Sequence, residues 1–311
     1  EYGKVTKITE TIDDIEYSYT YDYDYNSGHY GRLRTMTYPS GYLLRYYYSP
    51  GRGYLTTIKG PNLEILWERE LENAKGQITN YQIQGTKIRK RFNEYGLLTE
   101  HRDIGSNKFN YQYHFNPETG NLEYRKDLGG GRKLTENFYY DGDRLSSGEV
   151  FNEKTGESFT SFDVSYSANG NIQTNSSVGI YSYDETRKHA LKEITPFSED
   201  VLGLLPDQNI SYTSFHSIKQ IDEGEYSQTF EYGYDKERRK STLFKKNENN
   251  WNIEKIRYYL GSHEREVDAK GDTTKFDYIS APGVGLIGVH VETPTTNKTY
   301  TIIADYLGNI T

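Results

Sequence analysis

The chain has 311 residues, a formal net charge of −8 and no cysteine. These values exclude disulfides and thiolate metal sites, and they argue against a nucleic-acid partner, which needs clustered positive charge. No stretch approaches the roughly 20 apolar residues of a membrane span. The 32 tyrosines compensate for an apolar fraction of only 34%, because a tyrosine ring buries apolar area while its hydroxyl reaches a polar partner.

A short turn pattern recurs along the chain: glycine, any residue, then leucine or isoleucine. Glycine supplies the positive φ that a tight turn requires. The repeat turn glycines are Gly31, Gly53, Gly76, Gly96, Gly120, Gly170 and Gly308. Between Gly120 and Gly170, Asp143 takes the place of the glycine, because aspartate tolerates the left-handed conformation better than most residues.

The segments between these turns alternate polar with aromatic residues, which predicts half-buried β-strands. In residues 17–25 every second residue is tyrosine. Residues 66–75 have the composition of a helix, but Gly76 lies in register with the repeat, so we predict a strand and a turn there. The least regular part is 195–209, which we interpret as a loop or a plug that packs against the sheet.

The sequence predicts an all-β fold in which repetitive antiparallel β-hairpins form a curved, spiralling β-sheet. We predict a single domain over residues 1–311, since no linker rich in proline, glycine or serine divides the chain. A β-propeller is the minor alternative, because two repeats would fill a blade of about 40 to 45 residues. Unpaired sheet edges predict self-association through them or capping by loops.

Several units of the chain resemble those of the RHS/YD-repeat family. The residues that carry this resemblance are Tyr38–Gly41, Phe115–Leu122, Tyr258–Gly261, Tyr278–Gly283 and Asp305–Ile310. The last of them is similar to an Asp-His-Leu-Gly-Ser element of the family, with Tyr306 in place of the histidine. The resemblance covers nearly the whole chain.

The resemblance implies a hollow shell of long β-sheets that encloses or presents a variable C-terminal domain, often a toxin. We therefore expect a structural shell segment and not an enzyme, secreted or at a bacterial cell surface. The partner that this implies is the remainder of the same polypeptide, with further repeats and a C-terminal cargo domain. The family's Asp-Pro self-cleavage element is absent from the sequence and residue 1 is glutamate, so we expect a fragment or a processed product.

No catalytic or metal constellation emerges from the residue types, and we expect no cofactor. Residues 283–288 read G-x-G-x-x-G, but a proline precedes them and a strand-like segment follows, so we predict a turn and not a dinucleotide site. Asp22, Asp24 and Asn26 are similar to the opening of a Ca²⁺ loop, yet the later positions of that loop do not fit. The basic run Lys87–Arg91 divides between two faces of a strand, which favours ion pairs over an anion site.

Aromatic rings are the remaining feature with binding potential, because they stack on sugars or peptides through an apolar face. The candidate ligand-contact aromatics are Trp67, Trp251, Tyr46, Tyr47 and Tyr48. Packing between neighbouring strands is the main interpretation of these rings. The alternative function is a surface carbohydrate-binding or adhesion module that uses exposed rings, with glycans as partners.

Overall fold

A computed structural model describes residues 3–25, 31–198, 208–248 and 250–310. Within these ranges the chain forms 26 strands in two antiparallel sheets, of 17 and nine strands. The described residues contain no α-helix, and their one helical element is a single 3-10 turn at Gly129–Gly131. The prediction of an all-β fold of repeated antiparallel hairpins is therefore confirmed.

The chain divides into two compact units. Unit 1 comprises residues 1–87 and 206–311, and unit 2 comprises residues 88–205. The single domain over residues 1–311 stays a prediction.

The first half of unit 1 is a meander in which each strand pairs antiparallel with the next. Short alternating segments and glycine turns favour this arrangement, because the side chains of a strand point alternately to its two faces. The strands are β1 (Lys7–Ile12), β2 (Ile15–Asp24), β3 (Arg32–Thr37), β4 (Leu43–Tyr48), β5 (Leu55–Lys59), β6 (Ile65–Glu72) and β7 (Ile78–Ile83).

Unit 2 is also a meander of antiparallel strands. The first of its strands begins in the last two residues of unit 1's first half. The strands are β8 (Thr86–Phe92), β9 (Leu98–Asp103), β10 (Asn110–Phe115), β11 (Leu122–Asp127), β12 (Leu134–Asp141), β13 (Arg144–Asn152), β14 (Ser158–Tyr166), β15 (Ile172–Asn175), β16 (Gly179–Tyr183) and β17 (Leu191–Pro196).

The second half of unit 1 is a nine-stranded meander. Its strands are β18 (Gln208–Tyr212), β19 (Ile218–Glu223), β20 (Tyr226–Tyr232), β21 (Arg238–Asn247), β22 (Asn250–Leu260), β23 (His263–Asp268), β24 (Thr273–Ala281), β25 (Gly285–Glu292) and β26 (Asn297–Thr301). Because nine strands pair in chain order without a break, this sheet is not divided into four-stranded blades, which excludes the propeller alternative here. β18 and β26 are its edges, and self-association through them stays a prediction.

A tyrosine hydroxyl closes the open end of several hairpins. The tyrosine lies at or near the end of one strand, and its hydroxyl donates to a backbone carbonyl within two residues of the start of the preceding strand. We call this bond the hydroxyl tie. The ties join Tyr23 to Val5, Tyr48 to Leu33, Tyr140 to Leu122, Tyr166 to Leu145, Tyr183 to Ile172 and Tyr232 to Ile218, at 2.6–3.0 Å.

Each tied tyrosine also lies at a β-bulge. The pairing register with the following strand shifts immediately before it, as between Tyr139 and Tyr140 or between Ser165 and Tyr166. A bulge bends its strand and increases the local twist. The tie therefore fixes the strand at the point where the regular ladder of hydrogen bonds is interrupted.

The turns that follow combine a polar cap with a glycine. All seven repeat turn glycines have positive φ, between 75° and 91°. In the turn before β9, the Asn93 side chain accepts hydrogen bonds from the backbone N–H of Tyr95 and Leu97. The side chain of an asparagine or aspartate in this place mimics a backbone turn. Asn93, directly after the bulged end of β8, thus begins the turn, and Gly96 ends it.

Two sequence expectations need correction, while the strand predicted for residues 66–75 is present as β6. In the turn between β12 and β13, Gly142 and not Asp143 has positive φ, because the residue without a Cβ takes the left-handed place. The segment 195–209 is not a loop at its ends, since β17 runs to Pro196 and β18 begins at Gln208. Residues 199–207 of that segment lie outside the described residues.

The buried core of unit 1 contains rings and branched aliphatic side chains together. Trp67, Tyr81, Leu44 and Ile58 are almost completely buried in its first half. Ile279 and Ile287 are buried to the same extent in the nine-stranded sheet.

Replacing Tyr140 by phenylalanine tests the hydroxyl tie. We expect Tyr140→Phe to lower the free energy of unfolding by about 1 kcal/mol, because the Leu122 carbonyl loses its donor while the ring still packs. Urea denaturation measures this change. The matched control is Tyr139→Phe, whose ring is half exposed and whose hydroxyl makes an exposed contact with Glu149. An equal effect of the two substitutions would contradict the role of the tie.

Candidate functional site

The first half of unit 1 packs against the nine-stranded sheet through one continuous set of polar and aromatic contacts. We call this set the seam. Its members are Tyr17, Tyr19, Tyr38, Ser40 and Tyr42 from the first half, and Tyr258, Leu260, His263, Asp277, Tyr278, His290 and Thr299 from the second.

Asp277 is the centre of the seam and is completely buried. One carboxylate oxygen lies 2.7 Å from Nδ1 of His263, and the other accepts the hydroxyl proton of Ser40 at 2.6 Å. Ser40 in turn accepts the backbone N–H of Tyr42 at 3.0 Å. Both halves of unit 1 thus supply the hydrogen bonds that a buried carboxylate requires.

Ser40, Asp277 and His263 are the residue types of a hydrolase triad, but their order differs. In a triad the histidine contacts the serine hydroxyl and removes its proton. Here the aspartate lies between the two others, and Ser40 donates to the carboxylate. This arrangement does not activate the serine as a nucleophile, and its effect is to cross-link β24 to the turn between β3 and β4.

Two tyrosine hydroxyls extend the cross-link along the seam. Tyr19 donates to the carbonyl of Leu260 at 2.6 Å, and Tyr38 donates to the carbonyl of Tyr278 at 2.7 Å. Burial raises the pKa of Tyr19 to about 12 and raises that of Tyr38 further. Both hydroxyls therefore remain protonated donors at physiological pH.

His290 stacks on Tyr42 with the ring centroids 3.8 Å apart. Both rings also contact the Thr299 hydroxyl, through His290 Nδ1 at 3.1 Å and the Tyr42 hydroxyl at 3.2 Å. Burial lowers the pKa of His290, although the charges of Asp277, Glu292 and Glu64 oppose this shift. The neutral histidine is thus the form that the folded seam favours.

Ion pairs and hydrogen bonds surround the aromatic end of the seam. Asp13, in the turn between β1 and β2, accepts the Tyr258 hydroxyl at 3.0 Å and lies 2.8 Å from the Lys240 ammonium. The hydrogen bond with Lys240 lowers the pKa of Asp13 despite the opposing effect of burial. Arg265 donates to the Tyr17 hydroxyl at 3.1 Å. These contacts join the β1–β2 turn to the nine-stranded sheet.

A polar cleft of about 800 Å³ opens beside the buried histidine. Its lining includes Tyr42, Glu64, His290, Glu292 and Lys298. The two glutamates and the lysine are the charges of this lining, and Glu292 is already paired with Lys275 at 2.8 Å.

The five candidate aromatics do not form one site. Trp67 is fully buried in β6, so it belongs to the core, which corrects its place among rings available to a ligand. Tyr46 lies on the same strand face as Tyr48, and burial raises its pKa. Tyr48 forms a hydroxyl tie, and Tyr47 is exposed with the Lys59 ammonium 5.0 Å from its ring centre.

Of the five candidate rings, Trp251 is the one that is both exposed and located in a cleft. It is 47% exposed on β22 and lines a depression in the nine-stranded sheet.

The other sequence motifs form turns and ion pairs. Gly283 lies in the hairpin turn between β24 and β25, and Gly285 begins a strand where a dinucleotide site needs a helix. Asp22 pairs with Arg34, while Asn26 lies outside the described residues. In the basic run, Arg89 pairs with Glu100 at 2.7 Å. No group of potential metal ligands occurs in the described parts of the chain.

Sequence reasoning missed the buried group of Ser40, His263, Asp277 and His290. Ser40 lies within the Tyr38–Gly41 element, and no spacing in the sequence connects it with the two histidines or the aspartate. The available signal concerns the three strand residues, since His263, Asp277 and His290 lie directly opposite one another on three neighbouring strands.

Removing the Asp277 carboxylate tests the cross-link. We expect Asp277→Ala to lower the free energy of unfolding by about 3 kcal/mol, because His263 and Ser40 are then left without their shared acceptor. Ser40→Ala should cost about 1 kcal/mol. Denaturation followed by the fluorescence of buried Trp67 measures both changes. The control is Asp272→Ala in an exposed turn, and equal midpoints for the two aspartate variants would rule out the cross-link.

Acid titration tests the buried His290. Because its folded pKa lies below the value near 6.5 of the unfolded chain, the unfolded state takes up a proton first as pH falls. The contribution of His290 is therefore complete above pH ~6.5 and is lost progressively below it. We expect the free energy of unfolding to depend less steeply on pH between about 7 and 5 in His290→Asn than in the parent chain. An unchanged slope would contradict this assignment.

Comparison with known proteins gives similarity at the level of structure. No family model matches the chain, and no curated protein matches its sequence. In the described residues no helix has the length and apolar character to cross a membrane.

Two solved structures are informative. A structure of the Photorhabdus luminescens Tc holotoxin pore with a TccC3 mutation matches with a TM-score of 0.64 at 13% identity, over 96% of this chain and 17% of that one. The crystal structure of TcdB2-TccC3-Cdc42 matches with a TM-score of 0.59 at 12% identity, over 96% of this chain and 18% of that one. The chain thus spans less than a fifth of either protein. At these identities the similarity is one of fold, and the all-β architecture is that of a segment of these Tc toxin structures.

Proposed function

We propose that the chain is a structural RHS-repeat shell segment that encloses or presents a C-terminal cargo or toxin domain. The observation that carries this proposal is the similarity in fold to Tc toxin structures over 96% of the chain. The RHS/YD-repeat resemblance of the turn elements supports the same assignment. A location outside the cell or at its surface belongs to the proposal.

The contacts of the described residues suit a mechanical role. Hydroxyl ties close the open end of six hairpins, so these strand pairs are held at both ends. Within unit 1 the seam cross-links the two halves through buried hydrogen bonds. A segment built this way resists local opening, because opening would expose polar groups whose partners are fixed in the fold.

Protease protection in the full polypeptide tests the proposal. We expect the gene to encode a divergent domain beyond Thr311, and we expect that domain to be cleaved at least tenfold more slowly within the polypeptide than when it is produced alone. Limited proteolysis with mass spectrometry measures both rates. As a control, urea sufficient to unfold the repeats, followed through Trp67, should abolish the difference. Equal rates in native buffer would refute enclosure.

A further inference from the structure

One depression in the nine-stranded sheet has the composition of a sugar-binding cleft. It crosses β19, β20, β21 and β22 and has a volume of about 440 Å³, within the range of small-molecule sites. Its lining residues are Gln220, Asp222, Ser227, Thr229, Phe244 and Trp251. None of them belongs to the seam.

Strand pairing explains the shape of the cleft. Ser227 lies opposite Asp222 on one side and opposite Phe244 on the other, and Thr229 lies opposite Gln220. Residues opposite one another in neighbouring strands share a face of the sheet. The short hydroxyl side chains therefore form a floor, between a wall of Phe244 and Trp251 and a wall of Gln220 and Asp222.

The exposure of Trp251 follows from the length of its hairpin. β21 and β22 contain 10 and 11 residues, whereas β23 contains six and pairs only with Lys255–Leu260 of β22. Residues 250–254 thus extend beyond β23 and are all exposed. The indole is presented on an overhanging strand, where a ligand can reach it.

The opposite wall of the cleft is already organised by hydrogen bonds. The Gln220 amide donates to the two carboxylate oxygens of Asp222 at 2.8 and 3.0 Å and contacts the Ser227 hydroxyl at 3.2 Å. Hydrogen bonds from Ser227 and Gln220 lower the pKa of Asp222. The carboxylate is therefore an ionised acceptor that is fixed in direction before a ligand arrives.

We propose that this cleft binds a neutral glycan, with one pyranose ring stacked on Trp251 and its hydroxyls hydrogen-bonded to Asp222 and Gln220. An aromatic ring with a polar group beside it matches the apolar face and hydroxyl rim of a pyranose. The Asp222 carboxylate and the net charge of −8 disfavour acidic sugars. This binding activity is independent of the shell function.

Intrinsic fluorescence gives a direct test, because the chain has two tryptophans and Trp67 is buried. Cellotetraose, chitotetraose and maltotetraose are titrated separately into the whole chain, with calorimetry in parallel. We expect at least one of them to change the Trp251 emission with saturation in the millimolar range or below. Trp251→Ala should weaken that binding at least tenfold and Asp222→Ala several-fold, with the thermal midpoint of unfolding retained.

The matched control is Tyr300→Ala, which removes an exposed ring of the same sheet outside the cleft. Binding by this variant should equal that of the parent chain. The proposal is overturned if none of the three tetrasaccharides gives heat or an emission change at 10 mM, on the order of the weakest useful affinities. It is also overturned if Trp251→Ala binds as well as the parent, or if the emission responds to protein concentration and not to sugar.

Discussion

The hydrogen bond from a tyrosine hydroxyl to the backbone carbonyl at the start of the preceding strand recurs through both units. Tyr48, Tyr140 and Tyr166 make it with nearly the same length. Pairing between the strand of the tyrosine and the preceding strand ends at Thr35, Tyr124 and Ser147, before these carbonyls are reached, so each carbonyl needs a partner from a side chain. Tyrosine meets this need and covers apolar area with the same ring, which is how a chain with 34% apolar residues assembles a stable sheet. At about 1 kcal/mol each, a few ties amount to a large share of a typical net stability of about 5–15 kcal/mol.

In the described residues the first half of unit 1 and the nine-stranded sheet share no strand pairing, so the contacts of the seam determine how these two parts fit together. Apolar packing alone would tolerate sliding of one face on the other. The buried Asp277 permits only the placement in which Ser40 and His263 both reach it. A buried ionisable group is costly without partners, so every other register is penalised, and we interpret the group as the element that fixes the register of the two halves.

The sequence predicted the features that depend on near neighbours and missed those that depend on distant ones. Glycine turns and alternating strands are written in a few consecutive residues, so the all-β fold and the strand β6 could be predicted from them. Ser40 and Asp277 are 237 residues apart, and no periodic signal connects them. Gly142 replaced Asp143 at the left-handed position because the actual turn is one residue shorter than the repeat pattern suggested.

Trp67 and Trp251 show why ring exposure could not be predicted from composition. Both lie in alternating segments, but Trp67 pairs with Ile58 on one side and Ile83 on the other, which places it in the middle of a sheet. Trp251 pairs with Lys246 of β21 but has no partner in β23, because β22 extends beyond the end of β23.

Many rings of the described residues close hairpins or belong to the core. Trp251 becomes available to a ligand because the strand lengths are unequal and the overhang removes one neighbour. A difference in strand length between successive hairpins is therefore one way in which a structural repeat can acquire a binding surface without losing the ties that hold its strands.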